Sequence, residues 1–233
     1  MAKIFEENAY IKEIETKIKE INIENNTIEL KDTIFYGKSG GQPGDIGEII
    51  ADGQKIEVND TIKSEDAIKN ILKSIDSLSV NQKVTARINW DKRYKYMRMH
   101  SALHLMCASI PLSVTGGQIG FEKSRLDFND PEKKINKDEL QKKINTLMGN
   151  NHQIIYEFID SKILESQPEL VRTMSVKPPK IDGKLRFVKI GNVDFQPCGG
   201  THVKTTKEIG EIIIGKVENK GRMNRRVNIL LND

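Results

Sequence analysis

Two short segments, far apart in the chain, space metal-ligating residues in the same way. His100-Ser101-Ala102-Leu103-His104 sets two histidines four residues apart, and Cys198-Gly199-Gly200-Thr201-His202 sets a cysteine and a histidine at the same interval. The 233 residues include four histidines and two cysteines, and these segments use three and one of them. Imidazole and thiolate favour zinc, whereas magnesium and calcium prefer oxygen. The expectation is one Zn2+ per chain, held by His100, His104, Cys198 and His202. Zinc has no redox chemistry, so Lewis-acid or structural roles remain. Four protein ligands would close a tetrahedral shell, whereas catalytic sites usually keep one position open. Either His202 is displaced, or a fifth ligand is added, or the ion mainly positions a substrate.

Neighbouring residues exclude several familiar chemistries. A zinc protease motif reads His-Glu-x-x-His, and Ser101 stands at the Glu position. A zinc deaminase needs Pro-Cys-x-x-Cys, whereas Pro197-Cys198 is followed by Gly-Gly-Thr-His. Gly37-Lys38-Ser39 would close a phosphate-binding loop only with glycine at position 32, which is Asp32. The glycine-rich segment 37–47 is read either as a barrel loop or as a loop facing substrate. Asp194 and Gln196, just before Cys198, are candidates to support a ligand from behind, or to serve structure alone.

The elements that must position these residues differ between two halves. Up to residue 90 the chain reads as short strands: Lys17–Ile23, Thr27–Leu30, Thr33–Tyr36, Glu48–Ala51, Lys55–Val58 and Val84–Ile88. Glu24-Asn25-Asn26 and Asp52-Gly53 mark hairpin turns, and Ser64–Ser77 reads as a short helix. From residue 91 onward, Asp91–Ile110 reads as a helix, which puts His100 and His104 on one face. Asn136 and Glu139 suggest a capping box for a helix running to Asn150. Lys162–Gln167 reads as a short helix, and Pro178-Pro179 as a loop. Strands are expected at Arg125–Phe128, Gln153–Ile159, Leu185–Ile190, Glu211–Val217 and Arg226–Leu231. The fold class is α+β: a small N-terminal β-barrel over 1–90 with the glycine-rich motif, then an α+β zinc-binding domain over 91–233, its antiparallel sheet packed by helices.

Composition sets the outer limits. The mean hydropathy is −0.51, and no apolar run approaches the roughly 20 residues that span a bilayer. The first residues lack an apolar core and a cleavage site, so neither a signal peptide nor a membrane partner is expected. Two cysteines fit a reducing cytoplasm, and Cys107 reads as a buried thiol in an apolar helical run. The net charge of +4 is mild, but its distribution is uneven. Lys92, Arg93, Lys95 and Arg98 interleave with Tyr94 and Tyr96, and Lys216, Lys220, Arg222, Arg225 and Arg226 cluster near the C-terminus. Such clusters are either solvated faces or nucleic-acid contacts.

Three segments, in order, resemble a known family. Met97 to Leu105 is similar to the first motif of the alanyl-tRNA editing domain, and Cys198 to Val203 to its second. Asp32 to Tyr36 with Ser39 to Gly47 resembles the glycine-rich motif that precedes that domain in alanyl-tRNA synthetases. The resemblance runs from about residue 32 to 227. With no aminoacylation domain before the motifs, the chain resembles the medium-length class of freestanding editing proteins, the AlaX group. Ser101 and Leu103 depart from the usual residues at their positions without removing a ligand.

The resemblance implies hydrolysis of the ester in Ser-tRNA(Ala), and of Gly-tRNA(Ala) as a further substrate, with Ala-tRNA(Ala) spared. A synthetase pocket rejects a near-isostere such as serine weakly, so a second site that selects the hydroxyl is needed. By the resemblance, Gln118 reads that hydroxyl, and Gly40, Gly41, Ser101 and Thr201 face substrate. Arg93, Arg98, Arg222, Arg225 and Arg226 are expected at tRNA phosphates. The sequence leaves other readings open: a non-catalytic tRNA-binding module with a structural zinc, a zinc hydrolase of small esters or amides, and a threonyl-tRNA editing relative. Monomer and homodimer are both open.

Overall fold

The structure, a computed structural model, describes residues 2–64, 67–171, 180–181 and 183–232. It is mostly sheet with few helices, compatible with an α+β class. The chain divides into two compact units, Met1–Lys95 and Tyr96–Asp233. The division expected at residue 90 falls instead inside a helix.

The first unit contains β1 (Ala2–Lys3), β2 (Glu13–Asn22), β3 (Thr27–Leu30), β4 (Asp32–Thr33), β5 (Gly47–Ala51), β6 (Gln54–Ser64), β7 (Ala67–Leu72) and β8 (Lys83–Ile88). Six of these close a barrel in the order β2-β3-β7-β6-β5-β8, every pair antiparallel. Both expected hairpin turns are present, with positive φ at Asn26 and at Asp52 and Gly53. Ile18, Ile28, Leu30, Ile49, Val58, Leu72 and Ala86 fill the interior. Each fully buried Ile or Leu contributes about 1.5–3 kcal/mol.

Two sequence expectations fail here for physical reasons. The segment expected to be a helix at Ser64–Ser77 carries β7. Its burial alternates, with Ile68, Asn70 and Leu72 turned inward. Long-range pairing to β3 and β6 closes the barrel there and overrides local periodicity. The strand expected at Thr33–Tyr36 is paired only at Asp32–Thr33. Beyond that, side chains serve the backbone: Asp45 accepts from Tyr36 N–H at 2.6 Å, and Arg93 donates to the Ile34 carbonyl at 2.7 Å.

The second unit begins within α1 (Trp90–Ser109), whose first turns lie in the first. There follow β9 (Val114–Gln118), β10 (Lys123–Asn129), α2 (Lys137–Gly149), β11 (Ile154–Asp160), α3 (Ile163–Ser166), β12 (Lys180–Ile181), β13 (Lys184–Ile190), β14 (Asp194–Pro197), β15 (Ile212–Lys220) and β16 (Asn224–Leu231). One antiparallel sheet runs β15-β16-β10-β9. In the other, β13 is flanked by β11 on one edge and by β12 and β14 on the other. Asn136 caps α2 by accepting from the Asp138 and Glu139 amides. The helix docks on β15, where Gln141 bonds both Ile214 N–H and the Ile212 carbonyl. β9 was not legible as a strand because Gly116 and Gly117 interrupt it; a Cβ on Gly117 would press to 2.9 Å from the Leu126 side chain. The Pro178-Pro179 loop lies outside the described residues.

From Met99 to Cys107, α1 is buried on every side, as a helix without a polar stripe must be. The two histidines therefore sit in packed surroundings. Among the described residues, no helix is long and apolar enough to cross a membrane.

Candidate metal centre

α1 presents His100 and His104 one turn apart, their ring centroids 5.2 Å from each other. The second pair comes from the loop after β14. Antiparallel pairing with β13 delivers the chain to Pro197, and Cys198 N–H then bonds the Arg186 carbonyl at 3.0 Å. Arg186, fully buried in β13, holds the following turn. Its guanidinium donates to the Cys198 carbonyl at 2.6 Å and the Gly200 carbonyl at 2.9 Å, and it lies 3.7 Å over the Tyr156 ring. The Tyr156 hydroxyl accepts the His202 N–H at 3.1 Å.

The result is one donor set. The ligand atoms of His100, His104, Cys198 and His202 all lie within 4.8 Å of one another. Cys198 Sγ is 3.5 Å from His100 Nε2 and 3.4 Å from His202 Nε2. Two of the rings are oriented from behind. His104 Nδ1 lies 2.8 Å from Asp194 Oδ2, and Gln196 donates to the same oxygen at 2.8 Å. His202 Nδ1 lies 3.2 Å from Ser101 Oγ. Nε2 of each of these histidines is thereby turned toward the centre, as in metal sites where the outer nitrogen is held by a carboxylate or hydroxyl.

The electrostatics suit a cation. Burial alone would raise the Cys198 thiol, but His100 and His202 beside it hold it well below the usual thiol range. Burial opposes charge on His104, yet the hydrogen bond to Asp194 and the Cys198 sulfur push it up to about 10. His100 and His202 are lowered, chiefly by burial. The set could hold a metal ion.

Comparison with known proteins places this geometry in a family. Residues 185–228 match the threonyl and alanyl tRNA synthetase second additional domain, and residues 3–92 match tRNA synthetases class II (A). An alanyl-tRNA editing protein AlaX-M of Saccharolobus solfataricus is 36% identical over 97% of this chain and 96% of its own length. The chain belongs to the AlaX-M group of alanyl-tRNA editing proteins. Its counterpart in Methanosarcina mazei is 33% identical over 97% of this chain. The alanine–tRNA ligase of Archaeoglobus fulgidus matches 93% of this chain at 32% identity, with only 24% of the ligase covered.

In this AlaX-M chain the remaining expected site residues fall in varied settings. Ser101 is fully buried, and its hydroxyl serves His202 Nδ1 and the Val203 N–H. Thr201 is fully buried as well. Gln118 is exposed in β9, across from Arg125 of β10. Gly40 and Gly41, in the first unit, form an exposed turn closed by Ser39 and Gln42, with φ of 54° and 83° that favour glycine.

The arginines divide likewise. Arg93, expected at a phosphate, is fully buried in the first unit, bonded to Asp45 and to the Ala9 and Ile34 carbonyls. Arg225 is buried against the Gly221 and Asn224 carbonyls. Arg226 is paired with Asp127, Arg98 donates to the Ile209 carbonyl, and Arg222 is exposed. Sequence reasoning missed Tyr156 and Arg186. A tyrosine and an arginine inside apolar strands are their only trace, and neither type announces a role in holding a loop.

Proposed function

We propose that this chain is a zinc-dependent trans-editing hydrolase that deacylates mischarged Ser-tRNA(Ala), with Gly-tRNA(Ala) as a further substrate. The curated relatives support editing of alanyl-tRNA, and the donor set supports the metal. Tetrahedral zinc with Zn–N of about 2.0–2.1 Å and Zn–S of about 2.3 Å needs N···S separations of about 3.5 Å. The separations of 3.5 and 3.4 Å at Cys198 are the observation that carries this reading.

When bound, Zn2+ would supply a Lewis acid for charge developing on the ester carbonyl. The protein's own groups do the rest. Asp194 and Ser101 hold His104 and His202 in the orientation that points Nε2 inward. Arg186 and Tyr156 fix the loop that carries Cys198 and His202. Gln118, exposed in the same unit, offers an amide to the serine hydroxyl. Cys198 is the half-exposed member of the set, so substrate approaches from its side. Arg222 faces phosphate in this reading.

Hydrolysis of Ser-, Gly- and Ala-tRNA(Ala), with and without a chelator, tests it. Release of serine that the chelator abolishes, with alanine retained, is expected. Undiminished release by chelator-stripped, metal-free protein would sink the metal's catalytic part. The four-donor set also favours a second reading, a tRNA-binding module with a structural zinc, because four protein ligands complete a tetrahedral shell. Binding of tRNA without any deacylation would support that one.

A further inference from the structure

Among the large hydrophobic residues exposed in the described structure, two are aromatic: Phe121, 37% exposed, and Phe158, 38% exposed. Single exposed apolar residues are ordinary; the placement of these two is not. Phe121, in the β9–β10 loop, meets Tyr96 edge-on, with ring centroids 6.4 Å apart. Tyr96 lies four residues before His100 on α1, so it shares the helix face that carries His100 and His104. Phe158 lies two residues from Tyr156 on β11, on the same face of the sheet. It is paired directly across from Arg186, the residue that grips the Cys198–Gly200 turn. Phe121 thus reaches, through Tyr96, the helix that carries His100 and His104, and Phe158 lies opposite the arginine that holds the Cys198 turn.

From this arrangement we infer that Phe121, buttressed by Tyr96, and Phe158 are stacking platforms for the unpaired 3′ end of the tRNA. The inference rests on the reading of the site as an aminoacyl-tRNA deacylase. In such a substrate the scissile ester sits on the ribose of the last nucleotide, so the terminal base lies one sugar from the reacting carbonyl. A site that holds the ester at the His/Cys set must receive that base at its rim. Aromatic rings there bind it without reading sequence, because every base has a π face. The edge-on contact with Tyr96 fixes the Phe121 ring before binding, which reduces the side-chain entropy lost on stacking.

The experiment uses the full chain and tRNA(Ala) carrying 2-aminopurine as its terminal base. Binding of the uncharged tRNA should quench its fluorescence, and Phe121→Ala and Phe158→Ala should each relieve that quenching. With Ser-tRNA(Ala), each variant should raise KM about 5- to 150-fold, the range of one lost base–aromatic stack. The loss should be carried by KM rather than kcat, with metal content equal to wild type. Phe121→Tyr and Phe158→Tyr should restore both signals, whereas Phe121→Leu and Phe158→Leu, which keep apolar bulk and so guard against misfolding, should not. Quenching and KM unchanged in both alanine variants would overturn the inference. Failure of wild type to release serine would strike the deacylase reading instead, since quenching by uncharged tRNA needs no catalysis.

Discussion

In the first unit, Asp45 and Arg93 are buried together with side-chain exposures of 2% and 0%. Each is also bonded to backbone: Asp45 to Tyr36 N–H, Arg93 to the Ala9 and Ile34 carbonyls. The charges face each other. In the second unit, Asp194 and Arg186 are equally enclosed, but neither is turned on the other. Asp194 is spent on His104, and Arg186 on the carbonyls of the Cys198 turn. Beside them, four potential ligand atoms lie within 4.8 Å of one another. Both regions contain motif residues, yet in the first the motif completes a packed structure, and in the second it leaves a group that could hold a metal ion. The glycines follow suit. A Cβ on Gly44 would come within 2.0 Å of the Thr61 carbonyl, so that motif glycine answers to close packing.

The contrast can be broken at four points. Cys198→Ser should have the largest effect: metal content measured by mass spectrometry should fall to a small fraction of one per chain. Deacylation should drop more than about 100-fold, beyond what loss of an outer partner usually costs. Retained metal and activity would mean that the donor set is not what it resembles. Asp45→Asn should leave the chemistry of the donor set alone but destabilise the fold by about 3–5 kcal/mol, because it strands the Arg93 charge. Chemical denaturation reads this. Joint replacement of Asp45 and Arg93 by apolar residues of matching volume should recover much of the loss.

Asp194→Asn sharpens the comparison, being a carboxylate of similar burial with a different duty. It should weaken metal affinity about 10- to 100-fold in chelator competition, with stability of the metal-loaded protein little changed. Asp127 supplies a partly exposed reference. Burial opposes its charge, but Arg226 and Arg125 hold its carboxyl below the usual range. Its contribution is therefore present above pH 3.8, the ordinary value, and is lost as pH falls through the depressed one. Asp127→Asn should cost about 0–1 kcal/mol at neutral pH, and the gap to wild type should close in acid.

How much of this was legible beforehand follows the same division. The group that could hold a metal was readable because residue type and spacing survive without a fold: i and i+4 on a helix, and Cys-x-x-x-His around two glycines. Hairpins at Asn26 and at Asp52-Gly53 were readable because turn chemistry is local. The strand β7 was hidden by its own sequence: Ile68, Ile71, Leu72 and Ile75 recur at helical spacing, and only the barrel's need for a strand between β3 and β6 decides otherwise. Arg93 was misassigned because its partner lies 48 residues away, and no local pattern separates a buried arginine from a solvated one. The buried setting of Ser101 could not be read locally, because its partner, His202, is 101 residues distant.

The half-exposed position of Cys198 carries a consequence for the protein's lifetime. A cysteine that is only partly buried, with histidines beside it that lower its thiol, is the kind that peroxide attacks. Coordination would occupy the sulfur lone pair and shield it. If the site holds an ion, molecules that lose it under oxidative conditions would be converted to sulfenic and then sulfinic acid, and resupplying the metal would no longer restore the site. Stress would then act on this protein as a ratchet, turning a reversible loss of metal into a permanent one.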